Sequence, residues 1–290
     1  MRRTPSRPPR TLHDTVAETS AAAVLAGYST SFGLACRLLS EPVRTHVRNV
    51  YALVRIADEI VDCSESELAL EHRDVLLKAL EEETYEALRT GYAVNLVVHA
   101  FAVTARECGI GTDLLEPFFG SMRADLSVTT HDTDSLESYV YGSAEVVGLM
   151  CLRVFLAGRG DTGLYAELAP GARRLGAAFQ KVNFLRDLGS DSAELGRNYF
   201  PSVRVDAFTD AQRDRLLADI DADLHAAAEV IPRLPVSSRR AVAAAHALFA
   251  ELSRRLGETP ADRIASTRVR VPGMVKARVV AGAVLLSARR

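Results

Sequence analysis

Residues 51–62 read YALVRIADEIVD. Tyr51, Ala52, Leu53, Val54, Ile56, Ala57, Ile60 and Val61 form a stretch apolar enough to be buried, and Asp58, Glu59 and Asp62 interrupt it. An ionised carboxylate in an apolar interior is costly unless it is paired, protonated or bound to a metal. On a helix, residues four apart share a face, so Asp58 and Asp62 point the same way, and Arg55, three residues earlier, joins them. Taken alone, an acid pair at this spacing is more often a solvated face or half of two salt bridges.

A second stretch changes that reading. Residues 175–191, LGAAFQKVNFLRDLGSD, carry Gln180, Asn183, Asp187 and Asp191 at offsets of three, four and four on another apolar helical pattern. If the two helices face each other, the carboxylates of Asp58, Asp62, Asp187 and Asp191 converge with the amide of Asn183. Their mutual repulsion then calls for a divalent cation. Oxygen ligands without Cys or His select a hard ion, with Mg²⁺ the natural choice and Mn²⁺ an alternative. Mg²⁺ characteristically bridges a few carboxylates to substrate phosphates, which implies a phosphate or diphosphate ester, and the Ala, Val, Leu and Phe around both stripes imply a hydrocarbon remainder. An acid-rimmed apolar cavity suits ionisation of an allylic diphosphate, with dry walls protecting a carbocation.

Apolar residues recur at helical spacing along the rest of the chain, and strand-like alternation is hard to find. The expected fold is all-α, with helices over 12–26, 32–40, 43–63, 65–89, 93–108, 112–127, 135–158, 163–190, 209–231, 235–256 and 272–288. Pro42, Pro117, Pro170, Pro235 and Pro272 are expected near helix starts, and Gly109, Gly158 and Gly257 after helix ends. There is no repeat of fixed period and no long Ser/Gly linker, so residues 11–290 are expected to form one helical domain behind a disordered basic tail at 1–10. The one long polar interruption is GSDSAELGRNYFPSVRVDAF, residues 189–208.

Balanced charge, 35 Lys and Arg against 37 Asp and Glu, gives no field that would favour nucleic acid. Cys36, Cys63, Cys108 and Cys151 are far apart and sit among aliphatic residues, which suits reduced thiols in a cytoplasmic protein and excludes a disulfide framework. No uninterrupted run of eighteen apolar residues exists. The segment VKARVVAGAVLLSARR, residues 275–290, has basic ends around an apolar middle; it reads as a helix docked on the core or as a peripheral contact with the inner face of the cell membrane.

Several ordered stretches resemble the squalene and phytoene synthases, which join two prenyl diphosphates head to head. YSTSFGLACRLL (28–39) is similar to that family's early Ser-x-Ser-Phe helix, YALVRIADEIVD to its first Asp-rich motif and YVYGSAEVVGLM (139–150) to its central Tyr/Gly helix. QKVNFLRDLGSD (180–191) with GRNYFP (196–201) resembles the second Asp-rich motif and its trailing loop, and TRVRVPGMVKARV (267–279) the C-terminal segment. The wording is nearest to bacterial members of carotenoid pathways. The resemblance implies an isoprenoid-synthase-type helical bundle around a central cavity.

It also implies roles for single residues. Asp58, Asp62, Asn183, Asp187 and Asp191 would hold the metal, and Arg55 and Arg197 would grip diphosphate oxygens with their planar forks. The structural alternative for Arg55 is a salt bridge to Glu59 or Asp58, and for Arg197 a solvated loop charge. Ser29 and Ser31 match the family's paired hydroxyls beside a diphosphate; helix N-capping would equally explain them. Tyr51, Tyr139 and Tyr199 match pocket tyrosines that either donate to diphosphate or face a cation with their rings, ordinary core filling being the alternative, above all for Tyr51. Gln180 is expected as a polar pocket residue. The family's Val-Ala-Gly triplet is replaced by Ser143, Ala144 and Glu145, leaving Glu145 as an arginine's partner, a pocket-narrowing change or an outward-facing acid.

The function implied is condensation of two geranylgeranyl diphosphates through prephytoene diphosphate to phytoene, with Mg²⁺ and without NADPH, and with downstream carotenoid enzymes as partners. The alternatives are a farnesyl-diphosphate-using dehydrosqualene or squalene synthase, and a non-catalytic assembly protein of the same fold.

Overall fold

The structure is a computed structural model and describes residues 10–63, 68–158, 162–194, 196–201 and 203–287. The basic stretch 1–9 lies outside the described residues, whereas Arg10, expected to belong to the tail, pairs with Glu18 and Glu107. Among the described residues the regular structure is helical, and one isolated bridge joins Thr130 to Asn198. The helices are α1 (Leu12–Tyr28), α2 (Thr30–Cys36), α3 (Val43–Asp62), α4 (Leu70–Thr90), α5 (Leu96–Cys108), α6 (Thr112–Ala124), α7 (Thr133–Val140) and α8 (Val146–Leu156). They continue with α9 (Thr162–Glu194), α10 (Asp210–Val230), α11 (Val236–Glu258), α12 (Ala261–Ile264) and α13 (Gly273–Ser287).

Local chemistry sets many of these ends. Thr11 and Asp14 form a capping box on α1, and Thr209 and Gln212 form one on α10. Gly109 closes α5 in the left-handed conformation that glycine adopts without steric cost. Pro42 and Pro235 stand at helix N-caps as expected, but Pro117 and Pro170 do not: they lie inside α6 and α9. Each costs one i→i−4 hydrogen bond, and long apolar faces on both helices keep the chain helical through the loss. The helix expected over 135–158 is also different, because α7 and α8 are joined by a π-helical turn at Tyr141–Glu145. An inserted residue of this kind rotates α8 relative to α7, a feature that hydrophobic spacing does not reveal.

The Thr133–Leu156 unit is long and apolar enough to cross a membrane by length and composition, yet 56% of its most apolar window is buried inside the protein. It runs through the middle of the bundle. At Gly148 an added Cβ would lie 2.5 Å from the Ala172 carbonyl oxygen, and at Gly176 it would lie 2.4 Å from that of Ala144. Backbone therefore meets backbone where α8 and the π turn cross α9. Gly176→Ala forces two helices apart, and an overpacking cost of about 1–3 kcal/mol is expected. A thermal unfolding curve would show it as a lowered midpoint; an unchanged midpoint would mean that the crossing yields freely.

The two largest apolar clusters divide the work. One gathers residues of α1, α3, α4, α5, α6 and α8 around Leu53, Phe101, Phe118 and Phe119. The other gathers α7, α9, α10, α11, α12 and the 199–208 segment around Val182, Leu185, Ile220 and Leu256. Helix α3 belongs to the first and α9 to the second, and across the seam between the clusters the C-terminal ends of the two are bridged through Arg197. On its opposite flank α9 is held to α10 by Lys181 Nζ and Arg174 Nη1, each 2.8 Å from the buried Asp223 carboxylate. That clamp fixes the rotation of α9 and with it the direction of Asn183, Asp187 and Asp191.

Candidate active site

Arg197 joins the two acidic stripes. Its backbone N–H donates to the Asp191 carbonyl at the end of α9 (3.0 Å). Its guanidinium donates to Asp62 Oδ1 (2.7 Å) and to the Val61 carbonyl (2.8 Å) at the end of α3. The same side chain donates to the Asp125 carbonyl (3.0 Å), and Nη1 lies 3.7 Å from the Asp125 carboxylate. With its side chain only 6% exposed, it is not a solvated loop charge. Burial works against its charge, but Asp125, Tyr199 and Asp62 outweigh that and raise its pKa.

The carboxylates around it are crowded. Asp58 is half-buried and its pKa is pushed up to about 8, by burial first and then by Asp62, with Arg55 pulling the other way. Asp191 is pushed up to about 7 by burial, Asp187 and Asp62. That last influence crosses the seam: acids on α3 and α9 are electrostatic neighbours. Asp187 is paired with Arg268 (Nε to Oδ1, 2.8 Å) and with Arg186 (Nε to Oδ1, 2.9 Å). Among the described residues no three His, Cys, Asp or Glu side chains stand close enough together to hold an ion as they are, and arginines pair with Asp187 and Asp62. The donor set still fits a hard divalent ion: every candidate ligand atom is an oxygen, and the charges of Asp58 and Asp191 are disfavoured by burial first and by neighbouring acids second.

The other expected residues are placed as follows. Arg55 forms the ion pair with Glu59 that was its structural alternative, and its guanidinium lies 4.5 Å from the Tyr28 ring centroid. Ser29 is the N-cap of α2, accepting from Phe32 N at 3.2 Å. Tyr51 is half-buried and stacked on Phe32 at 5.4 Å, next to Arg55 and Asp58. Ser31 is half-buried in the first turn of α2, and Gln180 and Asn183 are half-buried on α9. Glu145 proves to be an arginine's partner, accepting from Arg173 Nε at 2.6 Å.

Tyr139 and Tyr199 form an aromatic wall with Phe184 and His131. The Phe184 and Tyr199 rings stack at 3.9 Å and 9°, Tyr139 lies 5.4 Å from Tyr199, and His131 lies 5.0 Å from Tyr139. Like His131 and Phe184, two further residues not foreseen from the sequence complete the region. Asp125, the C-cap of α6, accepts the Tyr139 O–H on both carboxylate oxygens (2.9 and 2.8 Å). Arg268 reaches Asp187 across 81 positions of sequence.

Comparison with known proteins bears on the family and the fold. The family model described as squalene/phytoene synthase matches residues 25–275. A phytoene synthase of Mycobacterium bovis is 28% identical over 276 residues, covering 89% of this chain and 87% of its own. A 15-cis-phytoene synthase of Enterobacter agglomerans is 27% identical, covering 79% and 82%. A 4,4'-diapophytoene synthase of Staphylococcus haemolyticus is 28% identical over 68% of this chain and 66% of its own. In fold, a ligand-bound dehydrosqualene synthase superposes with a TM-score of 0.80 at 21% identity, covering 96% of this chain and 98% of its own. The isoprenoid-synthase bundle, the two acidic stripes at its seam and a family match across most of the length lead to one conclusion: the chain belongs to the squalene/phytoene synthase family, head-to-head prenyl transferases that use prenyl diphosphates.

Proposed function

We propose that this protein is a Mg²⁺-dependent phytoene synthase that joins two geranylgeranyl diphosphates. The observation that carries the reading is the bridge from Asp62 through Arg197 to the Asp191 backbone, which brings both acidic stripes to one seam beside an aromatic wall. Asp58, Asp62, Asn183, Asp187 and Asp191 would hold the divalent ions, which when bound would neutralise the diphosphates as leaving groups. Arg55 and Arg268 exchange their present partners, Glu59 and Asp187, for diphosphate oxygens. The rings of Tyr139, Tyr199 and Phe184 face the allylic cation, and the apolar helices keep water from it.

The first condensation releases one diphosphate and one proton and gives prephytoene diphosphate. The second ionisation releases the other diphosphate, and loss of a proton completes the central double bond. No hydride donor such as NADPH enters this balance. A second reading, a thirty-carbon product from farnesyl diphosphate, is favoured by the equal similarity to the diapophytoene synthase. Purified protein incubated with Mg²⁺ and, separately, geranylgeranyl or farnesyl diphosphate is expected to give a forty-carbon hydrocarbon from the geranylgeranyl substrate, read by mass spectrometry. A thirty-carbon product alone would replace the first reading by the second, and no hydrocarbon from either substrate would remove both.

A further inference from the structure

We infer that Asp125 is a positioning residue for this condensation: its buried carboxylate fixes the phenols of Tyr139 and Tyr199 and, through Arg197, ties that aromatic wall to the Asp62 carboxylate. The inference rests on the proposed function and specifies how that site is organised.

Asp125 sits where α6 ends, and its side chain is 5% exposed. It accepts the Tyr139 O–H at 2.8 and 2.9 Å and lies 3.5 Å from the Tyr199 O–H. Arg197, 3.7 Å from the carboxylate, also donates to Tyr199 Oη (3.3 Å) and to Asp62 (2.7 Å). One acid therefore links α6, α7, the 196–199 loop and the end of α3. A buried carboxylate is a costly way to fill space, and apolar side chains would pack there at lower free energy. What the acid supplies is direction, since a network with its donors and acceptors matched has one preferred arrangement.

There is a chemical consequence for Tyr139. With its proton committed to Asp125, its hydroxyl does not donate to a diphosphate, and the phenol is left to act through an electron-rich ring. Removing the acid frees that proton and lets the ring turn. Burial and the Asp125 charge both hold the Tyr139 phenol un-ionised, its pKa well above the usual tyrosine value.

The test is a double-mutant cycle of Asp125→Asn, Tyr139→Phe and the pair, assayed with whichever prenyl diphosphate the wild type consumes. Asp125→Asn is expected to lower kcat about 10–100-fold with a much smaller change in KM, as for groups that orient catalytic side chains. The double variant is expected to be no more than about threefold worse than Asp125→Asn, because both changes break one unit. A kcat within about twofold of wild type for Asp125→Asn, or losses that multiply across the cycle, would overturn the inference.

If the wild type forms no product, the proposed function fails, and the network is judged from unfolding midpoints of the metal-free proteins. There the double variant should melt no lower than Asp125→Asn, and additive losses would overturn the coupling. Should Asp125→Asn not fold, Tyr139→Phe, Tyr199→Phe and their combination carry the same test. Their shared acceptor predicts losses in kcat, or in midpoint for a chain without turnover, that are smaller together than in sum; independent losses would refute it.

Discussion

Asp58→Asn is expected to reduce product formation by on the order of a thousandfold while leaving the fold intact. The carboxylate stands half-buried beside Asp62, and burial with that neighbour already makes its charge costly in the folded protein. Asn has the same shape and removes one negative charge from the crowd, so the metal-free variant should unfold at the wild-type midpoint or above it. Activity falls for the opposite reason: an amide oxygen is a far weaker ligand for a hard divalent ion than a carboxylate. Steady-state kinetics beside a thermal melt separates the two effects. Wild-type turnover in Asp58→Asn would remove this residue from the metal site, and a large drop in midpoint would show that its charge is structural.

Arg197→Ala is expected to do the reverse, damaging the fold first. The side chain serves Asp62, the Val61 and Asp125 carbonyls and the Asp125 carboxylate, so its removal strands several acceptors at once. Breaking a buried pair by deleting one member costs about 3–5 kcal/mol. For a chain of this size each kcal/mol moves the midpoint by roughly 2–4 °C, which amounts to a drop on the order of 10 °C. Lys should rescue little of this, because an ammonium cannot reproduce a planar fork that serves two directions. A midpoint within about 2 °C of wild type would contradict the bridging role. The family resemblance implies Arg197 as a diphosphate contact, and its 6% exposure adds a structural load to that role.

The difference between these two residues shows what the sequence discloses. Asp58 and Asp62, and Asn183, Asp187 and Asp191, are legible because helical periodicity alone puts each set on one face, and because carboxylates within apolar runs need compensation. Their meeting at one seam is a tertiary fact, set by glycine crossings at Gly148 and Gly176 and by the Asp223 clamp on the far side of α9. Asp125 is silent in the sequence: a single acid in a polar stretch at a helix end looks like any solvated cap, and its partners are 14, 72 and 74 positions away. Arg268 lies in a segment that the family resemblance covers, yet nothing local points to Asp187. The π turn is invisible for a similar reason, because one inserted residue leaves the apolar pattern on either side intact. Ser29 illustrates a role that local pattern does give, since it caps α2.

The central claim is that acids from both helices hold divalent ions together with a diphosphate. Electron paramagnetic resonance of Mn²⁺ mixed with the protein and inorganic pyrophosphate addresses it without requiring turnover. Loss of the free-ion signal is expected with the wild-type protein, and recovery of that signal with Asp58→Asn on α3 and equally with Asp187→Asn on α9. Undiminished Mn²⁺ uptake in either variant would show that one helix alone carries the ion and would contradict the shared site.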